Sequence, residues 1–271
     1  MAKTALITGG GGAIALAIAR QLEARGYDLI LADLSATRMA EAAGQLSRVV
    51  EQIEADLSTA AGVEALCQAI AARRPVIDLL INNAGIIQPG NIIDISADDL
   101  ERHIQINLIA PMRLTQAAAR VMAERGSGQI LSIVSAAGLI ALPGSAAYSA
   151  SKFGLRGFLH SARLELAPRG VKINAVLPGA VDTPMLRYEA THGGSVLNFL
   201  NKDVLTVDQV AKGVIQALEA DKAEVYLPYS DGVIGRLAGS LPWLLPKLLP
   251  SLEKEGRKGH ARFLATRGLN S

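Results

Sequence analysis

Residues 4–33 read TALITGGGGAIALAIARQLEARGYDLILAD. A short apolar run, Thr4–Thr8, meets four consecutive glycines, Gly9–Gly12, and then a stretch of helical periodicity over Ile14–Arg25. A second apolar run, Asp28–Asp33, follows. Runs that are apolar almost throughout suit strands covered on both faces, which is the environment of a parallel sheet. Strand, glycine turn, helix and strand therefore open an alternating α/β chain.

The alternation continues to about residue 228. Further strands are expected at Val49–Ala55, Asp78–Asn82, Gln129–Val134, Val171–Leu177 and Glu224–Leu227. Helical patterns fill Ala60–Arg73, Ala97–Arg125 and Ala147–Ala167. Such a chain predicts an α/β doubly wound parallel sheet, Rossmann-like, with about seven strands and helices on both faces. Its ligands belong at the carboxyl ends of the strands. With 271 residues, 50% of them hydrophobic, one large domain over residues 1–230 is expected. Two segments break the rhythm. Residues 185–205 read as a lid or binding loop at the carboxyl edge of the sheet. Residues 231–271 read as an apolar and basic extension.

Composition removes several function classes. A net charge of +2, with both signs mixed along the chain, leaves no nucleic-acid footprint. The single cysteine, Cys67, allows no internal disulfide and reads as core. His103, His160, His192 and His260 lack metal-ligand spacing, so no metal is expected, and only His192, in the lid, is a candidate for substrate contact. The N-terminus lacks the pattern of a signal peptide, which points to a cytoplasmic protein.

The glycine turn carries the first chemical signal. Glycines between strand and helix let the backbone approach a pyrophosphate, whose charge then meets the positive helix N-terminus. Gly9, Gly12 and Ile14 are the expected contacts. Asp33 closes the second strand, where a carboxylate accepts hydrogen bonds from ribose hydroxyls and repels the extra phosphate of NADP. Neither its next neighbour nor the glycine turn supplies a Lys or Arg for that phosphate. NAD is thus the expected cofactor.

Tyr148 and Lys152 carry the second signal. Four residues apart at a helix start, they share one face. A nearby ammonium favours the phenolate, so Lys152 is expected to lower the Tyr148 pKa and make it an acid/base group. Ser135, at the end of a buried strand, can hold the substrate oxygen while Tyr148 exchanges the proton.

Taken together, the glycine turn, Asn82-Asn83-Ala84-Gly85, Ser135, Tyr148/Lys152 and Pro178-Gly179 resemble the classical short-chain dehydrogenase/reductase family in content and order. The resemblance runs from about Lys3 to Leu227. It implies adenine contacts from Asp56 and Leu57, and cofactor lining by Asn83, Ala84 and Gly85. It also implies that Asn107 helps hold a water joining Lys152 to solvent, and that Pro178, Gly179, Val181 and Thr183 fix the nicotinamide carboxamide. Tyr148 and Lys152 would themselves touch the nicotinamide ribose. The family places glycines where this chain has Ala13 and Ala15, and the methyl at Ala15 is expected to press on the helix–strand contact.

The expected function is an NAD-dependent oxidoreductase interconverting a secondary alcohol and a ketone. Small apolar residues near Ser135, such as Ala136, Ala137, Leu139 and Ile140, suggest a hydrophobic small-molecule substrate. An NADP-linked carbonyl reductase and a dinucleotide-binding regulator without turnover are the alternatives. The resemblance further implies a homo-oligomer, a dimer or tetramer. In the tail, Leu241–Pro250 is dense in apolar residues, and its three prolines, Pro242, Pro246 and Pro250, argue against one long straight helix. Packing on the protein itself or a sister subunit, covering the substrate pocket, and resting on a membrane surface are its three open roles.

Overall fold

The computed structural model describes residues 2–201, 203–241 and 243–269. Among them are seven strands: β1 (Thr4–Thr8), β2 (Asp28–Asp33), β3 (Val49–Glu54), β4 (Leu79–Asn82), β5 (Gly128–Ile133), β6 (Val171–Pro178) and β7 (Glu224–Leu227). They form one sheet in the order β3-β2-β1-β4-β5-β6-β7, and each neighbouring pair is parallel. The order reverses between β1 and β4, so the loops that follow these two strands diverge and open a crevice at their carboxyl ends.

The period of two along each strand explains why the runs are apolar throughout. Ile7, Leu31 and Ile81 lie in register and face one layer, built from α1 (Ala13–Glu23), α2 (Ala36–Ala43) and α8 (Val207–Glu219). Leu6, Ile30 and Leu80 face the other, built from α3 (Ala60–Ala72), α5 (Ala110–Arg125) and α6 (Ala146–Leu166). At β1, β2 and β4 neither face meets water, whereas the edge strand β3 is largely exposed.

The helix expected over Ala97–Arg125 is interrupted. It is α4 (Ala97–Ile104), a π-turn at Gln105–Ile109, and then α5. Pro111 supplies the reason, since it has no N–H to give the carbonyl of Asn107 four residues earlier. The ladder widens at that point, with the Ala110 N–H reaching back to Gln105.

The two irregular segments also gain structure. Residues 185–205 contain most of α7 (Pro184–Thr191) and a 3₁₀ turn at Val196–Phe199. The tail forms α9 (Tyr229–Ser240) and α10 (Leu245–Arg267), so it is not one straight helix. Contrary to the proline argument, α10 nonetheless runs through Pro250. Pro246 falls in the first turn, where its missing N–H is not needed, and Pro250 forgoes a single hydrogen bond. Pro242 lies outside the described residues.

Of the three roles left open for the tail, its packing favours contact with the protein itself. Phe263 of α10 is buried against Leu186, Ala190 and Phe199. Gly256 and Gly259 let the helix approach the 3₁₀ turn so closely that a Cβ at either would collide with a backbone carbonyl, of Val196 or Phe199 respectively. The His260 Nε2 donates to the Ala190 carbonyl at 2.7 Å. Arg267 donates twice to Asp182 Oδ2, at 2.7 and 3.0 Å. No helix among the described residues is long and apolar enough to cross a membrane.

Candidate active site

The crevice between β1 and β4 holds the glycine turn. Gly9 adopts φ +64°, and a Cβ there would lie 3.0 Å from the Ala84 Cα. That position needs glycine for both reasons. Gly12 N–H closes the turn onto the Gly9 carbonyl at 2.9 Å, directly before α1. Ala15 is fully buried between α1 and the sheet, and the turn closes in spite of its methyl. Across the crevice, Asn83 Nδ2 donates to the Thr8 carbonyl at 3.0 Å, and the Ala84 N–H to Thr8 Oγ1 at 3.1 Å.

These residues line an elongated cleft of about 390 Å³. Gly9, Gly12, Ile14, Asp33, Asp56, Leu57, Asn83, Ala84, Gly85 and Thr183, all expected cofactor contacts, line it. Asp33 is buried at its base. Its Oδ2 accepts from Gly11 N–H at 3.0 Å; its Oδ1 accepts from Ser35 N–H at 3.0 Å and Arg38 Nη2 at 3.2 Å. Arg38 was not evident from the sequence beside Asp33. It lies five residues further on, and the Ser35-capped start of α2 folds it back. A carboxylate offers about four lone-pair sites, so roughly one remains for a ligand hydroxyl.

A second cleft of about 290 Å³ adjoins the first and shares Ile14, Asn83, Gly85 and Thr183 with it. Ser135, Tyr148 and Lys152 line it, as do Pro178, Gly179 and Val181. Ser135 follows β5, and its Oγ accepts the Ala137 N–H at 3.1 Å. Tyr148 and Lys152 lie one turn apart at the start of α6. Lys152 is buried, donates to the Ile133 carbonyl at 3.2 Å, and holds its Nζ 5.6 Å from the Tyr148 ring centre.

Burial dominates the electrostatics at Tyr148. Burial pushes its phenol up, against the pull of the Ser135 hydroxyl, and the Glu189 charge adds to the rise. Burial in turn draws the Lys152 pKa down to about 8. Low dielectric penalises the charged form of each.

Asn107 lines neither cleft. It is fully buried on the π-turn, with Oδ1 accepting from Ile86 N–H and Nδ2 donating to the Ile86 carbonyl, both at 2.9 Å. Its side chain therefore positions the loop beneath Gly85: a Cβ on Gly85 would lie 3.2 Å from Asn107 Oδ1 and 3.7 Å from Lys152 Nζ. Thr183 caps α7 by accepting the Leu186 N–H at 3.3 Å. His192 does not line the cleft; it stacks on Tyr188 with ring centres 4.0 Å apart.

Sequence reasoning missed several lining residues. Glu189 and Asn198 come from the 185–205 segment, and Ile234 and Leu252 from the tail. Nothing in the spacing of a mixed polar segment marks Glu189. Yet it is buried, with Asn198 Nδ2 donating to its Oε1 at 3.1 Å, and burial raises its pKa to about 7. Its ordinary value is 4.5, so below about pH 4.5 it is protonated both folded and unfolded and carries no penalty. Stability is then lost as pH rises through 7, by roughly 3 kcal/mol at most. Glu189→Gln is expected to raise Tm at pH 8 and to leave it unchanged near pH 4.5, as measured by thermal unfolding at the two values. An equal effect at both would show that the carboxylate bears no burial penalty.

Comparison with known proteins fits this arrangement. The family profile described as short chain dehydrogenase matches residues 3–193. The chain is 33% identical over 243 residues to Oxidoreductase UcpA of Salmonella typhimurium, covering 86% of this chain and 92% of that relative. Among solved structures, a short-chain dehydrogenase from Sphingobium yanoikuyae in complex with NADPH superposes with a TM-score of 0.76 at 28% identity, covering 89% of this chain and 95% of the other. The bulky-bulky ketone specific alcohol dehydrogenase of Comamonas testosteroni gives 0.72 at 27% identity, covering 83% and 86%. The chain belongs to the short-chain dehydrogenase family and is an oxidoreductase that uses a nicotinamide dinucleotide and acts on CH–OH groups.

Proposed function

We propose that the protein interconverts a hydrophobic secondary alcohol and its ketone, with NAD as cofactor. The observation that carries this is the joining of the two clefts. Ser135, Tyr148 and Lys152 line a mainly apolar cavity that opens onto the glycine-turn crevice.

When bound, the nicotinamide accepts or returns the hydride at the substrate carbon. Ser135 Oγ donates a hydrogen bond to the substrate oxygen, and Tyr148 Oη takes its proton in oxidation or supplies it in reduction. Lys152 supports the phenolate and holds the nicotinamide ribose. The positive charge of an oxidised nicotinamide held here would further favour the phenolate. Asn107, beneath Gly85, would help hold the water leading from Lys152 to solvent. Leu142, Leu186, Leu197 and Leu252 exclude water around the substrate body. A screen of alcohols and ketones of graded size with both nicotinamides, followed by reduced-cofactor absorbance, tests the assignment. Absence of turnover with every member would overturn it.

A second reading, an NADP-linked carbonyl reductase, is favoured by Arg38. Its guanidinium neutralises part of the Asp33 charge and is exposed toward the crevice, where a phosphate can meet it. The remaining acceptor site on Asp33 favours NAD. Asp33→Ala is expected to shift the NAD:NADP ratio of kcat/KM at least tenfold toward NADP. An unchanged ratio in steady-state assays would refute the role of Asp33.

The segment at 185–205 we assign as the substrate lid, held from behind by residues 231–271. We further propose a cytoplasmic homo-oligomer joined through α5 and α6, a face on which Phe153 and Leu164 are exposed.

A further inference from the structure

The catalytic cleft is not apolar throughout. Its walls carry Leu142, Leu186, Leu197 and Leu252, but Glu189, Asn198, Asn201 and Asp231 also line it. Their hydrogen bonds run in one direction. Asn198 Nδ2 donates to Glu189 Oε1 at 3.1 Å, and Asn201 Nδ2 donates to Asp231 Oδ2 at 2.8 Å. Each amide spends one N–H on a carboxylate, and the two carboxylates keep several free acceptor sites for a ligand. Lys152 supplies the only lysine or arginine side chain of this lining among the described residues, and it serves the proton-transfer end.

Glu189 is the least expected of the four. It is 7% exposed and makes no ion pair among the described residues. A carboxylate offers about four lone-pair sites, and the Asn198 amide uses one. If its task were only to tie α7 to the 3₁₀ turn, a glutamine would supply that acceptor without a buried charge. Burying an unpaired carboxylate is unfavourable, and groups retained in that state belong disproportionately to functional sites.

We propose that Glu189, steadied by Asn198, selects substrates carrying a hydrogen-bond donor, an ammonium or a hydroxyl, at a distance from the reacting carbon. The substrate is then amphipathic: its body lies against the leucines, its carbonyl or alcohol meets Ser135 and Tyr148, and its distant donor meets Glu189. A rival substrate with a methyl in that place leaves the carboxylate desolvated and unpaired, which is how a polar site rejects an apolar analogue. This rests on the reading of the cleft as a ketone and alcohol site.

The test uses methyl ketones of increasing chain length that end in methyl, hydroxymethyl or aminomethyl. Binding is measured by calorimetry with reduced cofactor present, alongside steady-state reduction. At one chain length, a donor-ended member is expected to bind at least tenfold tighter than its methyl counterpart. The ammonium and hydroxyl series decide which donor is read. Glu189→Gln keeps the acceptor for Asn198 and removes the charge; it is expected to cut an ammonium preference to below threefold. Glu189→Asp keeps the charge and withdraws it by one methylene, so the preferred chain length is expected to increase by about one carbon.

The proposal is overturned if no donor-ended ketone outbinds its counterpart, or if Glu189→Gln weakens all series by the same factor. A binding preference without reduction of any ketone would sink the proposed reaction and leave this recognition standing. Reduction without preference would do the reverse.

Discussion

Tyr148→Phe is expected to lower kcat about a thousandfold while the dissociation constant for the nicotinamide cofactor changes by less than about threefold. General acid–base groups contribute on the order of 10² to 10⁴ in rate, and a thousandfold corresponds to about 4 kcal/mol. The effect falls on kcat because the hydroxyl acts on the proton in flight, whereas the ring that lines the cleft is kept. The size of the loss also reflects how far burial has raised the phenol. The other hydroxyls lining the cleft among the described residues, Ser135 and Thr183, are too weakly acidic to replace it. Stopped-flow turnover and cofactor fluorescence titration on the same preparation measure the two quantities. If the wild-type chain shows no turnover and the variant binds cofactor unchanged, the regulator alternative gains support and the catalytic assignment fails.

Lys152→Met is the second large effect, and its two consequences run in opposite directions. kcat/KM is expected to fall by about 10² to 10⁴, since the ammonium both supports the phenolate and holds the cofactor ribose. Stability is expected to rise. Burial draws the Lys152 pKa from 10.5 to about 8, so below pH 8 the folded chain carries a charge that it solvates less well than the unfolded chain does. The unfolded chain binds more protons between pH 8 and 10.5, and stability therefore increases with pH across that window. Removing the amine is worth at most roughly 3 kcal/mol at pH 7, reduced by the lost hydrogen bond to Ile133. Thermal unfolding at pH 7 and pH 10.5 should show the variant ahead at the first and level at the second. In wild type, kcat/KM should decline as pH rises through about 8, and a profile flat to pH 10 would contradict the titration of Lys152.

The fold was legible almost in full, and for a simple reason. A strand buried on both faces must be apolar throughout, so TALIT, LILAD and LLIN announce themselves without a partner in view. Where the sequence went astray, a single backbone group decided. At Pro111 a missing N–H turns the expected continuous helix into a π-turn under Asn107. At Pro250 the same deficiency costs α10 one bond, which packing of Phe263 against Phe199 and Leu186 outweighs.

The candidate site divides along another line. Gly9, Asp33, Ser135, Tyr148 and Lys152 could be found because each stands at a strand end or helix start whose place in an alternating chain is calculable. Arg38, Glu189, Ile234 and Leu252 could not. Arg38 reaches Asp33 from the start of α2 that Ser35 caps, and Glu189 lines the cleft from α7, whose Leu186 and Ala190 pack with Phe199 and with Phe263 of α10.

By itself, then, the sequence determined the α/β alternation, the parallel sheet and the positions of the residues proposed to transfer the proton. These depend on local periodicity and on which end of a strand a residue occupies. The tertiary structure alone decided the burial of Tyr148 and Lys152, the pairing of Asp33 with Arg38, and the buried Glu189 lining the cleft. Each depends on desolvation and on distances between segments far apart in the chain, and neither quantity is written in residue spacing.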